Sequence, residues 1–124
     1  MKRRTRAPGP KPERGKGECV CPDFHSAIEL IGKRWTGAVV KALIPAPARF
    51  NQLLSGIPGI SDRVLTERLR ELEAEGVVER LVDPGPPVRV SYRLTSRGRA
   101  LEPVLNAVSD WAENWLEATA AAVG

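Results

Sequence analysis

A mainly α domain with one small β-hairpin is predicted for this chain of 124 residues by three observations. Apolar residues recur at three- to four-residue spacing on both sides of residues 77–94, as amphipathic helices require. Within 77–94 the period drops to two around the cluster Asp83-Pro84-Gly85-Pro86-Pro87, as in two strands joined by a turn. The length fits one compact body, large enough to bury about two-thirds of its unfolded surface without disulfide staples.

Residues 1–18 hold seven Lys or Arg, two Glu, three Pro, three Gly and no large apolar residue after Met1. Such a stretch cannot contribute to a core and is predicted to be a disordered basic tail of net charge +5. No apolar stretch follows the basic start, so a secretory signal is not predicted. No run of about 18 apolar residues occurs that would span a membrane. A cytoplasmic chain with reduced cysteines and no membrane partner is expected.

The folded domain is expected over 19–120. Its first helix starts at Cys21-Pro22-Asp23, because Pro suits the first helical position and Asp the positive end of the helix dipole. Phe24, Ala27, Ile28 and Ile31 form its apolar stripe, and Gly32 ends it. A second helix is predicted from Trp35 to Ile44, with Trp35, Val39, Val40 and Leu43 on one side and Pro45 and Pro47 as stops. A third, short helix fits Phe50 to about Leu54, ahead of the breakers Gly56, Pro58 and Gly59. The fourth, 61–75, has Ser61 as N-cap, Val64, Leu65, Leu69 and Leu72 as its buried stripe, and Gly76 as a left-handed C-terminal residue. Its other face presents Asp62, Arg63, Thr66, Glu67, Arg70 and Glu71, while Arg68, next to Leu69, is a candidate structural ion-pair partner.

Val77–Val82 and Val88–Leu94 then form the hairpin, with a stiff proline-rich tip. Thr95 is expected to cap a last helix running unbroken to about Thr119, roughly 36 Å. Its stripe is Leu101, Val104, Leu105, Val108, Trp111, Ala112, Trp115 and Leu116.

This order, three core helices, a hairpin and a long helix, is that of a winged helix-turn-helix. In such a motif the second helix of the turn lies in the major groove and reads base edges near its N-terminus. That role falls to helix 61–75, where Ser61, Arg63, Thr66, Glu67 and Arg70 are the candidate contacts. Arg pairs bidentately with guanine and Glu accepts from cytosine. Arg49, Asn51 and Gln52 are candidates for phosphate, and Arg89 on the wing for phosphate or the minor groove. The partner expected is double-stranded DNA. A winged helix that binds an acidic protein, or one that binds RNA, is the alternative.

Charge supports this only by its location. The chain carries +4, yet the tail supplies +5 and residues 19–124, with 12 basic and 13 acidic residues, carry −1. Residues 49–99 hold nine Arg and seven acids, whereas 100–124 hold four acids and no base. The tail is a candidate arm following DNA phosphates nonspecifically. With a single His and no Gly-rich phosphate loop, no catalytic set is credible, and neither an enzyme nor a cofactor is predicted. Cys19, Cys21 and His25 fall one ligand short of a closed zinc site, so no metal is predicted.

Cys21 is the candidate sensor. At a helix N-terminus, unpaired N–H groups and the dipole favour a thiolate, which oxidants and electrophiles attack. Cys19 is a candidate resolving thiol, although a disulfide within Cys-x-Cys of one chain is strained. A dimer seam is expected along Leu101, Val104, Val108, Trp111 and Trp115, which follow three- to four-residue spacing over two heptads.

The stretches Cys21-Pro22, Ile31-Gly32-Lys33-Arg34-Trp35-Thr36, Arg49-Phe50-Asn51-Gln52-Leu53, Ile57-Pro58-Gly59-Ile60-Ser61 and Val64–Leu72 together resemble the HxlR family of bacterial transcription regulators. The similarity continues through Gly76–Arg80, Pro87–Tyr92 and Leu94-Thr95 and covers about residues 19–118. It implies a homodimeric winged-helix DNA-binding protein joined through its first and last helices, which adds Phe24 to the seam. It also implies that a cysteine at the position of Cys21 senses quinones, aldehydes or hypochlorite-type stress in some members. Cys19 has no counterpart in the usual family pattern.

Overall fold

Local signals start and stop the helices of this computed structural model, which describes residues 21–123; the expected tail 1–18 and Cys19 lie outside the described residues. Cys21 caps α1 (Pro22–Ile31), with Pro22 and Asp23 in the first turn. Ser61 caps α4 (Asp62–Ala74), its Oγ accepting the Val64 N–H at 3.1 Å. After α4 the chain closes a Schellman turn: Gly76, at φ 75°, donates its N–H to the Glu73 carbonyl, and Val77 donates to the Leu72 carbonyl. Between these helices run α2 (Thr36–Leu43), a two-residue strand β1 (Ala48–Arg49) and α3 (Phe50–Gly56). After them come β2 (Val78–Asp83), β3 (Arg89–Leu94), α5 (Ser96–Arg99) and α6 (Glu102–Val123).

The fold class is as the sequence predicts, a mainly helical domain with a small antiparallel sheet. Three elements differ from expectation. Trp35 is not the first residue of the second helix; it precedes α2 in the left-handed region, at φ 76°. The hairpin is widened to three strands in the order β1-β3-β2, with Ala48 opposite Tyr92 and Arg49 opposite Ser91. The last helix is not continuous from Thr95. Pro103 has no N–H to donate to the Arg99 carbonyl, and the Leu101 N–H instead closes a tighter turn on Gly98 at 3.0 Å. The chain therefore makes one short turn, α5, capped by Thr95 as expected, and restarts as α6.

The core lies between α2 and α4. Val39, Val40 and Leu43 meet Leu65, Leu69 and Leu72, and all are at most 2% exposed. Leu53, Ile57 and Ile60 close one side, Val77, Val78 and Leu94 of the sheet the other, and Leu105 ties on α6. Two elements join this core only at its edge, α1 through Leu30 and α6 through Leu105. α1 has no buried residue, and α6 keeps Val104, Val108, Trp111, Trp115 and Leu116 exposed. Among the described residues no helix is long and apolar enough to cross a membrane.

Candidate nucleic-acid interface

The polar outer face of α4 is held in place from its opposite side. Arg68, with a side chain 12% exposed, donates to both Glu71 oxygens at 2.9 and 3.0 Å and from Nε to the Arg34 carbonyl at 3.0 Å. It is an anchor within the domain, as its place beside Leu69 suggests. Lys33 completes the cluster through Glu71 at 2.8 Å. The hydrogen bond from Lys33 holds the Glu71 carboxyl below its ordinary range, helped by Arg68 and opposed by partial burial.

With one face in the core and another anchored, helical spacing leaves Arg63, Thr66, Glu67 and Arg70 on the third. Arg63 projects into solvent, its side chain 88% exposed, and its Nε lies 3.4 Å from Glu67. An exposed pair at that distance is weak, so both side chains remain open to other partners. The Thr66 hydroxyl donates back to the Asp62 carbonyl at 2.8 Å. Arg70 is exposed and forms no ion pair among the described residues. Ser61, at the head of the helix, has its oxygen engaged as the cap and keeps its O–H for an outside acceptor.

The remaining candidates converge beside the wing. Arg49, Asn51 and Gln52 at the start of α3 and Val88, Arg89 and Val90 of the wing line one cleft of about 430 Å³. Gln52 is half committed, because its Oε1 accepts the Arg49 N–H at 2.8 Å and caps α3. Only its amide N–H groups are left to donate outward. The register that brings Arg49 next to the wing is the β1–β3 pairing, which two residues are too few to announce by periodicity.

A second cleft, of about 360 Å³, separates α4 from the sheet and is lined by Phe50, Thr66, Leu69, Arg70, Glu73, Arg80 and Tyr92. Arg80 and Tyr92 are absent from the sequence-derived candidates. The signal that finds Arg80 is its position, two residues from buried Val78 on the same face of β2.

Away from these clefts lie the other candidates. Cys21 is exposed, and its Sγ accepts the Phe24 N–H at 3.3 Å as the α1 cap. Phe24 is 57% exposed, next to Ile28 at 45%. On α6, Val104, Val108, Trp111 and Trp115 form an exposed stripe, the two indoles 6.5 Å apart, while Leu101 is half-buried against the core.

A family model described as HxlR-like helix-turn-helix matches residues 30–120. The chain is 45% identical over 98 residues to the HTH-type transcriptional regulator YvaP of Bacillus subtilis, covering 79% of this chain and 91% of that protein. It is 44% identical over 101 residues to YodB of the same organism, covering 82% and 90%. The solved reduced form of YodB superposes with a TM-score of 0.71 over 78% of this chain and 95% of its own, at 43% identity. The redox regulator HypR in its oxidised form does so with a TM-score of 0.71 over 76% and 96%, at 39% identity. YodB has also been solved after diamide treatment and with bound quinone.

Proposed function

The chain belongs to the HxlR-like helix-turn-helix family, non-enzymatic transcription regulators, and from that premise we propose that it binds an inverted-repeat operator as a homodimer. The observation that carries this reading is the pairing of two surfaces. One side of the domain offers the open face of α4 together with a cleft flanked by Arg49 and Arg89. Elsewhere, α1 and α6 expose Phe24, Val108, Trp111 and Trp115, an apolar surface that a second copy would cover. Two copies joined there present two α4 helices about 34 Å apart, one turn of DNA.

On this reading Arg63, Glu67 and Arg70 face base edges or phosphate from the major groove. Arg49, Asn51, the Gln52 amide, Ser61 and Arg89 hold the backbone, and Thr66 buttresses the helix. The test is a gel shift with the DNA next to the chain's own gene, competed by random DNA and by RNA. Specific retention against both supports the reading. Equal competition by RNA, or no shift at all, overturns it.

The same reading places control at Cys21. Its sulfur is exposed at the head of a helix, and the regulator YodB has been solved diamide-treated and quinone-bound and the redox regulator HypR in its oxidised form. With a quinone, the sulfur adds to a ring carbon, the ring takes up the thiol proton, and the product is a hydroquinone thioether. With diamide, Cys21 and a second thiol, Cys19 of the same or a partner chain, form a disulfide while diamide is reduced to the hydrazine. Mass spectrometry after treatment tests this: Cys21 left unmodified at doses that abolish DNA binding would exclude it.

A further inference from the structure

The cleft between α4 and the sheet has a composition that the core does not explain. On the inward face of the sheet, Val78 lies opposite Leu94, and both are buried. Two residues further along on that face come Arg80 opposite Tyr92, and then Val82 opposite Val90. Strand residues two apart share a face, so Arg80 occupies a register position flanked by valines. Arg80 is exposed there, so its guanidinium is open to an outside anion. Among the described residues it forms no ion pair, and neither does Arg70 across the cleft, whereas Arg63, Arg68 and Arg93 each have a carboxylate partner. Glu73 lines the cleft without reaching either arginine, so two positive charges face one negative. Tyr92 lines the same cleft, and its hydroxyl donates to no other group among the described residues.

We propose that this cleft seats one DNA backbone phosphate, held by Arg80 from the sheet and Arg70 from α4, with the Tyr92 hydroxyl as a neutral donor. The inference rests on the DNA-binding reading above and adds a site to it. A helix in the major groove and a wing beside it are separated by one sugar–phosphate strand, and this cleft is the gap between those two elements. Charge complementarity selects that occupant, because guanidinium groups on two walls match phosphate oxygens. Arg70 thereby becomes a backbone contact and not a reader of bases.

The test is the salt dependence of binding by the full chain to a random-sequence duplex of about three helical turns. Arg80→Gln is expected to lower the slope of log affinity against log salt by about 0.9 per bound protomer, with Arg70→Gln doing the same. Arg80→Lys keeps the slope because it keeps the charge. Tyr92→Phe weakens binding without changing the slope. Arg93→Gln, on the opposite face and paired with Glu79, leaves both unchanged. An unchanged slope in Arg80→Gln or Arg70→Gln, while Arg89→Gln lowers it, overturns the phosphate cleft and leaves the DNA-binding reading standing. Absence of binding by the unmodified chain overturns both. Should Arg80→Gln fail to fold, Arg70→Gln decides alone, since it is an exposed helix position.

Discussion

Lys33 Nζ donates to Glu71 Oε2 at 2.8 Å, and this joins the connection that follows α1 directly to α4. Glu71 in turn receives Arg68, whose Nε reaches the Arg34 carbonyl, so residues 33 and 34 are both tied to α4. A third tie comes from Trp35. Its indole Cη2 lies 3.2 Å from where a Cβ on Gly59 would stand, in the turn just before α4. The segment linking α1, with Cys21 at its head, to the core therefore grips α4 at both ends.

Acid should weaken this grip. The folded Glu71 carboxyl is held below its ordinary value of 4.5, first by the hydrogen bond from Lys33. A group depressed on folding contributes stability that is fully present above its unfolded pKa and lost as pH falls through the folded one. Stability of the unmodified chain should thus decline below about pH 4.5 in part through Glu71. In Glu71→Gln that part of the decline should be missing. Parallel acid limbs for the two proteins in thermal melts would show that the cluster contributes nothing.

Gly98 should tolerate no side chain. A Cβ there would sit 2.2 Å from the Val77 carbonyl oxygen and 3.2 Å from Leu94 Cδ2, because α5 packs its backbone on the start of β2. Gly98→Ala is expected to destabilise by about 1–3 kcal/mol through overpacking. Gly56→Ala is the control, since a Cβ there meets nothing within 4 Å. Chemical denaturation of both variants checks the contrast.

These two cases show what the sequence discloses. Ser61, Leu65, Leu69, Leu72 and Gly76 are legible because each signal is local: a cap, a period, a left-handed stop. Trp35 outside its helix is not legible, since its apolar spacing fits α2 while its backbone is set by packing over Gly59. Neither is β1, whose two residues gain their strand geometry only from β3. The candidate site divides in the same way. Helical spacing alone puts Arg63, Glu67 and Arg70 on one face. Which arginines are paired depends on reach across elements, so Arg68 as anchor, the commitment of Gln52 to its cap, and Arg80 opposite Arg70 emerge only from the tertiary structure.

Dimerisation should be separable from folding. Val108 is 56% exposed and Trp111 61%, so neither supports the domain's own core. Val108→Asp or Trp111→Ala should leave the melting temperature of the isolated fold nearly unchanged. Each should cost about 2 kcal/mol or more of association, roughly a thirtyfold weaker dimer. Sedimentation at several concentrations reads this directly, and unaltered association would place the seam elsewhere.

Cys21→Ser should uncouple sensing from structure. Serine is a better N-cap than cysteine, so its Oγ can take over the Phe24 N–H and α1 should persist. DNA binding by the untreated variant is expected to match the unmodified chain. Its loss on treatment with diamide or quinone should disappear. A Cys21→Ser protein that still releases DNA after treatment would move the sensing thiol to another residue.

Arg63 separates reading from holding. Its side chain is 88% exposed near the N-terminal end of α4, with only Glu67 at 3.4 Å to restrain it. A guanidinium in that position can lie flat against a guanine edge, two N–H groups on O6 and N7. If it does, Arg63→Ala should cost about 1–3 kcal/mol on the operator and almost nothing on an operator substituted at the one contacted base pair. Removing Glu67 is then informative in the opposite sense. Without its carboxylate neighbour Arg63 is freer to pair with phosphate, so Glu67→Gln should raise affinity for all sequences while narrowing the gap between operator and random DNA. A selection experiment over randomised half-sites resolves the two outcomes. Relaxed preference at a single position marks Arg63 as a reader. A uniform fall across every sequence, with the salt dependence reduced by about one ion, marks it as a backbone contact, the role proposed for Arg70.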